Sequence, residues 1–131
     1  MNREKQFINT FILPDRKPKL CALLDNQIRR RAYLGKALHS YDFLTEHCVE
    51  IAESDQKPEG IAQLLKVMGA TDTCYAISEL EDLDGRAFKL IEALTQILGK
   101  GFGSILICND HGTLGYYEGS DMEERMILLK K

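Results

Sequence analysis

An α/β (or α+β) domain built on a small mixed sheet of about four strands is the fold class that the sequence predicts. Three observations carry it. From residue 47 onward, short β-rich runs alternate with helical periods in the order strand, helix, strand, helix, strand, strand, which implies parallel strands joined by right-handed crossovers. Two β-rich runs, 104–108 and 113–117, flank Asn109, Asp110, His111 and Gly112, a hairpin signal that adds one antiparallel strand. The 131 residues fit a single domain, 1–131, large enough to bury a core without disulfides. Within it, residues 1–39 read as a basic helical arm and 47–131 as the sheet-containing body.

Taken in order, Phe7, Ile8, Phe11 and Ile12 recur at helical spacing over residues 3–13, and Pro14 ends that helix. Asp15 can cap a second helix that tolerates Pro18 in its first turn, where the amide lacks an intrahelical partner anyway. Leu20, Leu23, Leu24 and Ile28 keep one face apolar, and Tyr33, Leu34, Ala37 and Leu38 continue the pattern. Both helices are expected to pack on the sheet. Residues 39–46 read as a connector and 48–52 as a first strand, with Glu50 marking a wet face or an edge. Ser54 or Asp55 then caps a helix carrying Ile61, Leu64, Leu65 and Met68, which Gly69 stops.

Residues 73–78 are continuous and apolar at Cys74, Tyr75, Ala76 and Ile77, as a strand buried on both faces should be. An acidic loop with Glu79, Glu81, Asp82 and Asp84 follows. The next helix is expected to run through Ala87, Leu90, Ile91, Leu94, Ile97 and Leu98 to Gly99. After the hairpin, Ser120 with Glu123 resembles a capping box, so 122–129 reads as a short last helix, with a strand over 126–129 as its rival.

The net charge of −3 is unevenly spread: nine Lys or Arg against three acids through His39, then eight against seventeen. Such a split fits a basic arm that pairs with an acidic body, or a nucleic-acid face formed by Arg29, Arg30, Arg31 and Lys36. No apolar run is long enough to span a bilayer and the start is no signal peptide, so a cytoplasmic location without membrane contact is expected. The four cysteines, Cys21, Cys48, Cys74 and Cys108, show no metal-finger spacing and read as buried free thiols. Neither a metal nor another cofactor is expected.

If the first three strands are parallel, their carboxyl ends meet, and ligands of open α/β sheets bind at such ends. The residues placed there are Ser54 and Asp55, then Ser78, Glu79 and Glu81, then Asn109, Asp110 and His111. Glu79, Asp110 and His111 are the candidate catalytic set, because a histidine positioned among carboxylates can move protons. Ser78 and Asn109 are candidate pocket residues. The glycines at 99, 101 and 103 follow a helix and precede a strand, the reverse of a phosphate loop, so they read as helix termination.

No motif names an activity. The leading expectation is a small non-enzymatic binding or regulatory module that self-associates, with the Tyr116 and Tyr117 hairpin edge open to strand addition. RNA binding through the basic helices and a small hydrolase or metal-dependent enzyme at the strand ends are the alternatives.

Overall fold

The computed structural model describes residues 3–24, 30, 34, 43–119 and 124–130. Its centre is a six-stranded sheet: β1 (Cys48–Val49), β2 (Thr73–Ser78), β3 (Ala87–Lys89), β4 (Ser104–Ile107), β5 (Leu114–Glu118) and β6 (Arg125–Leu129). The spatial order is β1-β6-β5-β4-β2-β3, and every neighbouring pair is antiparallel. The expected parallel pairing is therefore corrected, and so is the strand count.

The reason lies in β3. Residues 87–89 belong to a strand that returns along β2, where the apolar period had placed the start of a helix. Helix α4 (Leu90–Ile97) begins only after it. A crossover does exist, but it joins β3 to β4, which run the same way with β2 between them. A strand of three residues is too short to show a period, and missing it reverses the direction assigned to β4. The last element is likewise corrected from helix to strand. Met126 and Leu128 pair with β5 and β1, which fixes an alternation that five residues alone do not declare.

Alternation along the strands builds two apolar layers. On one face Cys74, Ala76, Leu106, Leu114, Tyr116 and Ile127 meet α3 (Pro58–Val67) and α4. The other face presents Ile77, Ile105, Ile107, Tyr117 and Leu128 to α1 (Arg3–Phe11) and α2 (Lys17–Leu24). Phe7, Ile8 and Phe11 give α1 its buried stripe, and Ile12, just past its end, bridges to Phe43. The two amino-terminal helices do pack on the sheet, as expected. The result is an antiparallel sheet covered on both sides by helices.

Helix α3 starts differently from its expectation. Ser54 and Asp55 lie in a preceding 3-10 turn, and Lys57 occupies the cap position with no side-chain hydrogen bond. The chain closes tightly here, since a Cβ on Gly60 would sit 2.6 Å from the Asp55 carbonyl oxygen. The hairpin turn forms as read: Asn109 Oδ1 accepts the Thr113 amide at 3.0 Å and Gly112 takes φ +67°.

Candidate functional site

Antiparallel pairing disperses the pocket nominated from sequence. Ser78 lies beside Ser104 at one end of the sheet, and β4 then runs away from it to Asn109. Roughly 15 Å of strand thus separates Ser78 and Glu79 from Asp110 and His111. The structure groups Ser54, Asp55, Ser78 and Glu79 at one end and leaves Asn109, Asp110 and His111 at the other. Glu79, Asp110 and His111 do not converge.

Each has a local task or faces solvent. Ser78 Oγ shares a 2.8 Å hydrogen bond with Ser104 Oγ, both residues buried, and accepts the Leu80 amide. Glu79 is exposed, and its Oε1 accepts the Gly103 amide at 2.7 Å, tying two loops together. Asn109 Nδ2 donates to Thr113 Oγ1 within the turn. Asp110 makes an exposed ion pair with Arg3 at 3.1 Å, and His111 is exposed. Arg29, Arg31 and Lys36 lie outside the described residues. The Tyr116 and Tyr117 edge is corrected too, because β5 is an interior strand and both rings are buried.

Arg30 is the one described member of the basic cluster, and its guanidinium is committed within the fold. It donates to both oxygens of Asp84, at 2.9 and 2.7 Å, and meets Glu4 Oε1 at 2.6 Å. The Glu4 contact is an ion pair rather than an aligned hydrogen bond, since Oε1 is buried without a geometric donor. Tyr75 donates its hydroxyl to Glu4 Oε2 at 3.3 Å. Burial pushes the Glu4 carboxyl up, outweighing the attraction of Arg30, and the like charge of Asp84 adds to the rise. Burial works against the Arg30 charge, but its hydrogen bonds to Asp84 and the attraction of the Glu4 and Asp84 carboxylates more than offset this and raise its pKa. Asp84 also accepts the Ser78 amide, so the network ties α1 to the β2–β3 loop.

A second buried network went unnoticed in the sequence. Glu118 is fully buried, and its Oε1 accepts from the Tyr116 hydroxyl at 2.5 Å and from Arg125 Nε at 3.0 Å. Its Oε2 accepts from Arg125 Nη2 at 2.9 Å and from the Gly99 amide at 3.0 Å. Arg125 Nη1 reaches Gln56 Oε1, and Gln56 in turn donates to the Ile51 carbonyl. Hydrogen bonding to Glu118 raises the Arg125 pKa. With two donors on each oxygen, the Glu118 carboxylate is saturated; it pins the end of α4 to β5 and β6 and offers no free position to a substrate. Arg125 and Gln56 line an open cleft of about 530 Å³ beside β1, together with Thr45, Cys48, Glu50 and Glu124.

The remaining open feature is the β3 edge. Among the described residues no strand lies beyond β3. Ala76 donates to the Arg86 carbonyl and Leu90 to the Asp72 carbonyl, so ladder alternation points the Phe88 backbone at β2 and turns the amides and carbonyls of Ala87 and Lys89 outward. Both side chains are exposed. Beside this edge lies a groove of about 550 Å³ whose walls include Ala62, Lys66, Thr73, Lys89, Leu90 and Ile91, the last 40% exposed. The opposite edge, β1, has only two residues. No cluster of three or more metal-ligating side chains forms among the described residues. No protein-family model, curated protein or solved structure matches the chain.

Proposed function

We propose that the protein is a small binding module that self-associates by pairing its β3 edge with the same edge of a second copy. The observation that supports this is the spacing of the outward backbone groups. Ala87 and Lys89 lie symmetrically about Phe88, so a two-fold axis through Phe88 sets Ala87 of each copy opposite Lys89 of the other. Two donors and two acceptors on each edge are then used, giving four hydrogen bonds and one continuous antiparallel sheet. A lysine on an edge strand ordinarily disfavours strand addition, and this register limits the cost by setting Lys89 opposite an alanine rather than another cation. The adjoining groove with its exposed Ile91 extends the contact beyond the backbone.

Substitutions at Ala87 reverse sign in this arrangement. Ala87→Lys places like charges opposite each other twice per dimer, and Ala87→Glu places opposite charges there. At roughly 0.2–1 kcal/mol per cross-strand pair, the first weakens the dimer about 2- to 30-fold and the second tightens it by a similar factor. Sedimentation equilibrium over a concentration series reads both. A wild-type monomer at all concentrations, or two variants that shift association in the same direction, would sink the proposal.

A further inference from the structure

Two of the cysteines that sequence spacing left unrelated are brought onto neighbouring antiparallel segments by the sheet. The β2–β4 register ends at the Tyr75–Ile107 pair, and Cys74 and Cys108 each stand one position beyond it on the two neighbouring chain segments. Both side chains lie in the same apolar layer, under α3 and α4, and both are buried free thiols. The Cys74 backbone turns to Phe88 of β3, while Cys108 donates its amide to Leu114 and accepts the Thr71 amide, so no backbone hydrogen bond joins the two cysteines. Residues one step past a paired position on neighbouring antiparallel strands have Cα atoms roughly 4.5–5.5 Å apart, inside the roughly 4.4–6.8 Å range that a disulfide spans.

We infer that Cys74 and Cys108 are a latent redox-modification site, closing to a cross-strand disulfide by exchange with a small-molecule disulfide. One thiolate attacks a sulfur of the small disulfide and expels its partner as a thiolate, leaving a mixed disulfide. The second cysteine thiolate attacks the protein sulfur of that intermediate, forms the Cys74–Cys108 bond and releases the other small thiolate. The protein gives up two electrons and two protons, and the small disulfide becomes two thiols. Burial sets the rate: it pushes the Cys74 thiol up to about 12 and the Cys108 thiol well above its ordinary value, so exchange proceeds through local opening of the sheet.

The four cysteines fall on four separate tryptic peptides, 20–29, 37–66, 67–86 and 101–125. The full chain is held in an oxidised and reduced glutathione mixture, with and without sub-denaturing urea, then alkylated, digested and mapped by mass spectrometry. The expected product joins 67–86 to 101–125 with loss of two hydrogens and leaves Cys21 and Cys48 alkylated. It forms faster with urea, and it raises Tm by something on the order of 10 °C in a manner reversed by dithiothreitol. Cys74→Ala and Cys108→Ala each abolish the linked species, and the wild-type map decides the matter if either variant fails to fold. Four alkylated thiols, a stable glutathione adduct without closure, or a link to 20–29 or 37–66 would overturn the inference.

Discussion

Glu118 and Glu4 are both carboxylates closed off from water, yet their neighbours give them opposite roles. Each Glu118 oxygen receives two hydrogen bonds, one of them from Arg125. Glu118→Ala strands the Arg125 charge and the Tyr116 hydroxyl, so it should cost about 3–5 kcal/mol in urea unfolding, far more than an exposed carboxylate would. A loss below 1 kcal/mol would show that the network carries little of the fold. Glu4 shares its cation with Asp84, and burial raises its pKa above the ordinary 4.5. Its protonated form therefore favours folding, and the stability it contributes is complete below that ordinary value and lost as pH rises through the raised one. Glu4→Gln should accordingly be at least as stable as the wild type at neutral pH, with the difference fading below pH 4.5 when Tm is followed against pH. Sequence could not separate these residues from the other acids. Glu118 follows two tyrosines that resemble an edge strand, and Arg125 stands alone in a polar stretch; only the β5–β6 register puts them opposite each other.

Elements were legible where their period was long enough to speak. Residues 3–11, 58–67 and 90–97 carry several turns of apolar spacing, and the structure has helices there. Thr73–Ser78, Ser104–Ile107 and the hairpin turn were readable for the matching reason, continuous β-rich residues bounded by turn formers. Ala87–Lys89 was hidden because its neighbours supply a helical period that three strand residues cannot contradict. Gly115 shows a further element-scale constraint. It lies inside β5, and a Cβ there would come within 3.0 Å of the Leu106 carbonyl oxygen and 3.9 Å of Leu128 Cβ. Gly115→Val should raise local strand propensity yet lower stability by about 1–3 kcal/mol through overpacking, measurable as a reduced urea midpoint with an unchanged m-value. A rise in the midpoint would mean that β4 and β5 part at no cost.

At the scale of the whole molecule, an α/β object with its amino-terminal helices packed on a sheet was legible, while the direction of its strands was not. Direction is a parity: each undetected strand inverts the strands assigned after it. One missed edge segment was enough to move Asn109, Asp110 and His111 to the far end of the sheet from Ser78 and Glu79. The strand order has a consequence for assembly of the chain. Strand β1 is attached to the sheet only through β6, with Cys48 opposite Leu128, eighty positions later. Closing so long a loop is slow compared with forming the β4–β5 hairpin. A nascent chain that has emerged only as far as the hairpin can zip its middle, but Cys48 and Val49 must wait for Ile127 and Leu128 before they have a strand to pair with.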